Sequence, residues 1–247
     1  MVEKKYGLLG RNIDYSFSKK YFTAKFSREK LLCDYENFDI ESIDQLPELL
    51  DREIQNLQGF NVTIPYKNDI FNYLDEVDET ASEINAVNCV KIIDEYYLKG
   101  FNTDAFGFEN SLVPLLKKNH KKALILGTGG ASKAIAYVLK KLKIEFLFVS
   151  RNPLAENQIP YKSLAPAIIA AHHLIVNCTP LGTHPIIDEF PNIPYQAVTE
   201  NHLLYDLIYN PSQTKFLEKG KNMGAQTKNG LEMLELQAAK SWEIWNT

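Results

Sequence analysis

The sequence predicts an α/β protein, with a first α/β domain followed by a Rossmann-like domain. Three observations lead to this prediction. Short apolar runs alternate with amphipathic stretches along the 247 residues. The run at 123–126 is apolar without interruption, as in a strand buried on both faces. A glycine-rich turn follows that run directly. Such alternation is typical of βαβ units around a parallel sheet.

The elements of the first half are predicted from apolar periodicity. Strands are predicted at 6–10, 34–38 and 60–64, a hairpin pairs 86–93 with 96–101, and helices are predicted at 18–30 and 43–56. The pattern changes after Thr103. Residues 1–103 are therefore predicted to form one domain, completed by 229–247 as the chain returns to it.

The second domain is predicted to span 104–228. Its strands are predicted at 123–126, 146–149, 174–177 and 203–206. Its helices are predicted at 105–118 and from the glycine turn to 142, and the segment that returns to the first domain is predicted to be helical at 231–245. Strands that alternate with helices in this way predict a parallel sheet.

Composition narrows the class of protein. With 45% hydrophobic and 23% charged residues, the chain has the composition of a folded domain. Its net charge of -4 argues against nucleic acid or an anionic membrane as a partner. No apolar run reaches the roughly 18 residues of a membrane helix, and residues 1–6 lack the apolar segment of a secretory signal. We expect a cytoplasmic protein with a small-molecule substrate.

Cysteine and histidine give no metal motif. Cys33, Cys89 and Cys178 are far apart and without ligand spacing, so we expect reduced thiols. His172 and His173 are adjacent at a strand start, where neighbouring side chains point in opposite directions. No metal site is predicted.

The turn after the first strand of the second domain is a candidate nucleotide site. Glycine lets the backbone approach a pyrophosphate, and the N-terminus of the following helix supplies free N–H groups. The spacing is not a strict GxGxxG, because Ser132 stands at the last position. An ordinary tight strand–helix turn stays open as the alternative. The candidate residues are Gly127, Thr128, Gly129, Gly130 and Ala131.

The tip of the next strand favours NADP over NAD. An NAD site usually offers an acidic residue there for the ribose hydroxyls. This chain has Ser150, Arg151 and Asn152 instead. Arg151 can form charge-assisted hydrogen bonds to a 2′-phosphate and stack on adenine. The alternative is that Arg151 is a solvated loop charge.

A family resemblance begins at residues 61–67, NVTIPYK, which resemble the NVTxPxK signature of the shikimate dehydrogenase family. Further segments resemble blocks of that family in the same order: 16–18, 86–88, 102–107, 177–182, 206–211, and 230–234 with Gln237. The resemblance covers nearly the whole chain. Departures occur at Lys19, where the family has proline, and at Asn85, Cys89 and the 150–152 tip.

The resemblance implies reduction of 3-dehydroshikimate to shikimate by NADPH, within aromatic amino-acid and chorismate biosynthesis. It assigns Lys67 and Asp104 as an acid–base dyad. The implied substrate-binding residues are Ser16, Ser18 and Tyr209 for a carboxylate, and Thr63, Asn88 and Gln237 for ring hydroxyls. Thr179 and Gly230 are implied as further nucleotide contacts.

These residue types suit the implied chemistry. Oxidising an alcohol requires a group within about 3 Å of the oxygen that can exchange its proton. Lys67 can serve, and Asp104 would favour its protonated form by Coulomb attraction while desolvation acts in the opposite direction. Taken singly, Lys67 reads as a surface lysine, Asp104 as a helix N-cap, and Ser16 and Ser18 as loop or cap residues.

Three rival functions stay open. One is a quinate/shikimate dehydrogenase of broader specificity, which would typically favour NAD. A short-chain dehydrogenase is suggested by the YxxxK spacing of Tyr137 and Lys141, although these lie on the helix that follows the glycine turn. The third is a non-catalytic, NADP-binding regulatory protein of the same fold. The oligomeric state, monomer or homodimer, is left open.

Overall fold

The computed structural model describes residues 4–14, 16–53, 55–94 and 96–247. The chain forms two compact units. The first unit contains the residues up to Thr103 together with Gln237–Thr247, and the second unit is Asp104–Leu236. Both units combine helices with one sheet, which confirms the predicted α/β class.

The first unit is built on a mixed sheet. Its strands are β1 (Lys4–Gly10), β2 (Cys33–Asp39), β3 (Leu57–Val62), β4 (Glu76–Val77), β5 (Cys89–Ile93) and β6 (Tyr97–Phe101), and its helices include α1 (Phe17–Glu29), α2 (Leu46–Glu53) and α3 (Glu79–Ile84). The strand order is β2-β1-β3-β5-β6-β4. Because β1 pairs in parallel with β2 and β3, the carboxyl ends of these strands lie at one edge of the sheet.

The second unit has the predicted Rossmann-like sheet, which is parallel throughout. Its helices are α4 (Asp104–Leu112), α5 (Gly130–Lys141), α6 (Pro166–Ala171) and α7 (Lys215–Asn222). Its strands are β7 (Lys122–Leu126), β8 (Glu145–Ser150), β9 (Gln158–Pro160), β10 (Leu174–Asn177), β11 (Leu203–Asp206) and β12 (Gln226–Lys228), in the order β12-β11-β10-β7-β8-β9. Strands β7, β10 and β11 are almost wholly buried, as expected for a sheet covered on both faces.

The final helix, α8 (Leu231–Trp245), begins in the second unit and belongs to the first unit from Gln237 onward. Its end is anchored by Trp245, whose Nε1 donates to the carbonyl oxygen of Val90 at 2.9 Å. Gly59 makes room for this indole, since a Cβ at Gly59 would lie 2.4 Å from the Trp245 ring. The aromatic side chains of Tyr6 and Phe22 also pack on Trp245.

Several predicted boundaries are wrong, two of them because of proline, and strands β1, β3 and β5 begin two or three residues from where they were predicted to begin. The predicted helix at 43–56 begins as a 3-10 turn, Ile43–Gln45, and becomes α-helical only at Leu46, before Pro47. The helix predicted to reach 118 ends at Leu112, because Pro114 cannot continue its hydrogen bonding. The strand predicted at 60–64 ends at Val62. Glu95, in the predicted hairpin turn, lies outside the described residues.

None of the helices in the described part of the chain has the length and hydrophobicity needed to cross a membrane.

Candidate active site

The glycine turn of the second unit leaves backbone groups open to a ligand. Gly127 has φ +99, a conformation that L side chains rarely adopt. Gly129 is the N-cap of α5, so no side chain caps the first N–H groups of that helix. The Ser132 hydroxyl donates back to the Gly129 carbonyl at 2.7 Å and lies inside the turn. These N–H groups, at the positive end of a helix, are suited to a phosphate.

Gly127 and Gly129 differ in the space around them. A Cβ on Gly127 would lie 3.1 Å from Cγ2 of Thr179, whereas a Cβ on Gly129 would meet nothing within 4 Å. Gly129 and Thr128 are exposed. The absence of a side chain at Gly129 is therefore not required by packing inside the second unit. It leaves open space over the start of α5, as a nucleotide pyrophosphate would require.

The predicted 2′-phosphate residues lie at the carboxyl end of β8, next to β7 in the sheet. Ser150 is buried, and its hydroxyl accepts a hydrogen bond from the Asn152 N–H at 3.2 Å. Arg151 and Asn152 are exposed. Burial raises the pKa of Tyr161 to about 12, and the Arg151 charge opposes that rise. Because β8 runs parallel to β7, this strand end lies at the same edge of the sheet as the glycine turn.

A buried carboxylate that the sequence analysis did not single out holds the ends of β10 and β11. Asp206 accepts hydrogen bonds from Asn177 Nδ2 at 2.9 Å, the Ile208 N–H at 3.1 Å and Thr214 Oγ1 at 2.6 Å. The Oδ1 of Asn177 accepts in turn from Thr179 Oγ1 at 2.7 Å. This network fixes the loops that follow both strands, including Thr179 beside Gly127. Its only sequence signal is a polar residue ending each apolar strand.

Asp206 gives a testable pH dependence. Burial raises its pKa from 3.8 to about 6, although its hydrogen bonds act in the opposite direction. A carboxyl whose pKa is higher in the folded than in the unfolded state binds its proton more readily when folded, so lowering the pH below 6 stabilises the fold. From pH 7.5 to pH 5 this group should add about 1.4 kcal/mol to the free energy of unfolding.

Urea unfolding of the wild type and of Asp206→Asn at both pH values checks this. The asparagine variant keeps two acceptor bonds at Oδ1 and can donate to Thr214, but it has no charge to titrate. The difference in stability between the two proteins should shift by about 1.4 kcal/mol in favour of the wild type at pH 5. Contributions of the histidines to the pH dependence cancel in this difference, because both proteins contain them. An unchanged difference would show that Asp206 does not titrate in this range.

In the first unit, Thr103 connects two of the predicted substrate-binding residues, Asn88 and Gln237. Asn88 Nδ2 donates to Thr103 Oγ1 at 3.0 Å, and the Thr103 N–H donates to Asn88 Oδ1 at 2.7 Å. Thr103 Oγ1 also lies 3.3 Å from Oε1 of Gln237 on α8. All three side chains are buried. The connecting residue, Thr103, was not predicted, although it lies in the 102–107 segment.

Behind this group lies a second layer of buried polar side chains, also missed from the sequence. Asn61 Nδ2 donates to Ser241 Oγ at 2.9 Å, and Tyr35 OH donates to Asn61 Oδ1 at 2.9 Å. Burial raises the pKa of Tyr35 well above its usual value, whereas a hydrogen bond with Ser18 lowers it. Asn61 therefore connects Tyr35 on β2 with Ser241 on the final helix.

The remaining predicted residues of the first unit lie around the carboxyl ends of β1 and β3. Thr63 follows β3, and its N–H donates to the Leu9 carbonyl at 2.9 Å. Lys67 is half-buried in the turn beyond, and its carbonyl accepts from the Val87 N–H at 2.9 Å, next to Asn88. Ser16 is the N-cap of α1 and accepts from the Lys19 N–H at 3.4 Å.

The other predicted residues lie in the second unit. Asp104 is the first residue of α4 and is buried, with 8% of its surface exposed. Tyr209 is half-buried in the loop after β11. Gly230 packs too closely for any side chain, since a Cβ there would lie 2.1 Å from the Leu207 carbonyl oxygen. The pairing of Lys67 with Asp104 stays a prediction.

A parallel Rossmann-like unit with an open glycine turn, joined to an α/β unit that buries a group of amides and hydroxyls, defines a nucleotide-dependent oxidoreductase of two units. A family model described as "Shikimate dehydrogenase substrate binding domain" matches residues 8–90. A curated relative, "Shikimate dehydrogenase (NADP(+))" of Methanococcus vannielii, is 35% identical over 97% of this chain and 90% of its own length. The chain belongs to the shikimate dehydrogenase family.

Solved structures agree with this assignment. The shikimate 5-dehydrogenase of Thermus thermophilus, in complex with NADP(H) and shikimate, is 31% identical with a TM-score of 0.85, covering 98% of this chain and 93% of that one. A quinate dehydrogenase of Corynebacterium glutamicum, in complex with NAD, is 26% identical with a TM-score of 0.87 over the same shares. The similarity therefore extends to a neighbour that is named for another substrate and holds the other nucleotide.

Proposed function

We propose that this chain catalyses the reversible reduction of 3-dehydroshikimate to shikimate with NADPH, in the biosynthesis of chorismate and aromatic amino acids. The first unit would bind the substrate and the second the nucleotide. The observation that carries the proposal is the buried group of Asn88, Thr103 and Gln237, whose amides and hydroxyl suit a polyhydroxylated ring. The Lys67 carbonyl accepts from the N–H of Val87, the neighbour of Asn88, and the chain belongs to this family.

NADP is the nucleotide that these residues fit. The N–H groups at the start of α5 would hold its pyrophosphate in the open space at Gly129, with Gly127 giving the turn its shape. Arg151 would hold the 2′-phosphate, with Ser150 and Asn152 beside it. When bound, this cofactor supplies or accepts a hydride.

Lys67 is proposed to exchange the proton of the reacting oxygen. A protonated ammonium can donate to that oxygen during reduction and can take the proton back, as an amine, during oxidation. Asp104 is proposed to orient Lys67 and to favour its protonated form. The burial of Asp104 makes such an interaction stronger than it would be in water.

The remaining residues are proposed to orient the ring. Ser16 and Ser18, with Tyr209, would donate to the substrate carboxylate, and both serines are already buried, each with 8% of its surface exposed. Thr63, Asn88 and Gln237 would exchange hydrogen bonds with ring hydroxyls. An analogue that lacks a hydroxyl would leave a buried amide unpaired, at a cost of about 1–3 kcal/mol, and should be rejected accordingly.

Arg151 gives the prediction for nucleotide choice. Arg151→Ala should lower the ratio of kcat/KM with NADP to that with NAD by about 10- to 100-fold, because only NADP loses its charge-assisted bonds. Steady-state assays with both nucleotides measure the ratio. The control is Lys121→Ala, an exposed cation at the opposite, amino end of β7. Equal losses with NADP and NAD would remove Arg151 from 2′-phosphate recognition.

The structural similarity to a quinate dehydrogenase supports a second candidate function, which is that of a quinate/shikimate dehydrogenase that uses NAD. Initial rates in the four combinations of shikimate or quinate with NADP⁺ or NAD⁺ distinguish the two. We expect kcat/KM to be highest for shikimate with NADP⁺. Preference for quinate and NAD⁺ would favour the second candidate. Binding of NADPH without turnover of either acid would favour a non-catalytic protein. The cytoplasmic location and the oligomeric state stay predictions.

A further inference from the structure

The loop that leads into the two predicted carboxylate-binding serines is held by the end of a neighbouring strand. This loop connects β1 to α1 and contains Asn12 and Ile13. The Asp39 carboxylate, at the last residue of β2, accepts from the Asn12 N–H and from the Ile13 N–H, each at 3.0 Å. Each oxygen of the carboxylate therefore holds one backbone group of the loop.

Ile13 transmits this attachment to Ser16. The Ile13 carbonyl accepts from Asn37 Nδ2, two residues before Asp39 on β2, at 2.9 Å. The same carbonyl accepts from the Ser16 N–H at 3.0 Å. Because the Ile13 side chain is also buried, with 5% exposed, both the backbone and the side chain of this residue are fixed. Ser16 is thus hydrogen-bonded to a residue whose N–H and carbonyl are both held by side chains of β2.

The loop needs this external support. Asn12 has φ +55, a left-handed conformation that is unfavourable for residues other than glycine, although asparagine tolerates it best. A carboxylate that accepts two consecutive N–H groups stabilises such a turn, and hydrogen bonds to a charged acceptor are stronger than those between neutral groups. Ser16 and Ser18 follow at the first turn of α1, where a change in the loop would move both hydroxyls together.

We propose that Asp39 and Asn37 are positioning residues that set Ser16 and Ser18 for the carboxylate of the substrate. The inference rests on the proposed function, since it assumes that these serines bind that carboxylate. Asp39 need not touch the substrate, because both its oxygens are occupied by the loop.

The test compares Asp39→Ala, which removes both acceptors, with Asp39→Asn, which keeps one oxygen. Asp51→Ala, an exposed carboxylate on α2 of the same unit, is the matched control. We expect the KM for shikimate to rise about tenfold in Asp39→Ala and about threefold in Asp39→Asn, with kcat and the KM for NADP⁺ within about twofold of wild type. Asn37→Ala should act in the same direction.

Shikimate methyl ester distinguishes a positioning role from a general loss of structure, because a general loss should affect the KM of the acid and of the ester equally. The ester carries no negative charge, so its hydrogen bonds with the two serine hydroxyls are weaker than those of the carboxylate. Its KM should therefore change less than the KM of the acid, and the preference of the enzyme for acid over ester should be smaller in Asp39→Ala. Hydrogen exchange at Asn12, Ile13 and Ser16 should become faster in the same variant.

The outcomes separate the two proposals. A wild-type protein that does not act on shikimate would overturn the proposed function, and this inference with it. An active wild type whose Asp39→Ala variant keeps its KM for shikimate, or loses acid and ester equally, would overturn the positioning role alone. Unchanged exchange at Ile13 and Ser16 would show that Asp39 does not hold the loop. If Asp39→Ala fails to fold, the asparagine variant carries the same comparisons.

Discussion

Replacement of Lys67 by alanine is expected to lower kcat by about 10²–10⁴-fold, while the KM for shikimate stays comparatively unchanged. The physical reason is that the reacting oxygen must gain or lose a proton as hydride moves, and the variant lacks the amine proposed to exchange that proton. Steady-state rates of shikimate oxidation by NADP⁺ measure the change. Partial recovery with added methylammonium would identify the missing group as an amine.

The matched control is Lys91→Ala, which removes another half-buried lysine of the same unit, on β5. It should keep kcat within about twofold of wild type, as expected for a residue away from the chemistry. A nearly unchanged kcat in Lys67→Ala would exclude Lys67 from proton transfer. A large rise in KM at constant kcat would instead make Lys67 a binding residue.

Substitution of Gly129 by aspartate should change stability and binding in opposite directions. Aspartate is a better N-cap than glycine by a few tenths of a kcal/mol, and its Cβ would meet nothing within 4 Å, so the free protein should keep its thermal stability or gain about 1 °C. NADPH binding should weaken by at least about 100-fold, because the carboxylate would occupy the proposed pyrophosphate site and its charge would repel the pyrophosphate.

Titration of NADPH by fluorescence, with thermal unfolding of the free protein, measures both effects. Gly129→Ser serves as the neutral comparison, since it also caps α5 but carries no charge. We expect its affinity for NADPH to lie between that of wild type and that of Gly129→Asp. Near wild-type affinity in the aspartate variant would mean that the pyrophosphate lies away from this turn.

The elements that the sequence predicted best are those with a strong local pattern. Strands β10 and β11 and helix α8 begin and end at the predicted residues, because each is a continuous apolar or amphipathic run with polar residues at its boundary. Short elements such as β4 and α3 were not predicted, since runs of two to six residues carry too little periodicity. The proline boundaries were readable in principle, as Pro47 and Pro114 are both visible in the sequence.

The sequence predicts residues of the candidate site, which stay predictions, but it does not predict their contacts. Asn88 and Gln237 were named from the sequence, but Thr103, which joins them, lies 134 residues before Gln237. No local pattern reports a bond over such a separation. The same holds for Asp39, which accepts from a loop 26 residues earlier, and for the hydrogen bond to Asp206 from Asn177, 29 residues earlier. Polar residues at strand ends were the only local signal.

The most direct test of the central claim follows a deuterium atom from the nucleotide to the ring. Purified protein would be incubated with 3-dehydroshikimate and NADPH deuterated at nicotinamide C4 on either face in separate reactions, and the product analysed by mass spectrometry and NMR. The account predicts shikimate that carries one deuterium on the carbon bearing the new hydroxyl, from one of the two faces only. No shikimate, or shikimate free of deuterium from both labelled nucleotides, would contradict it.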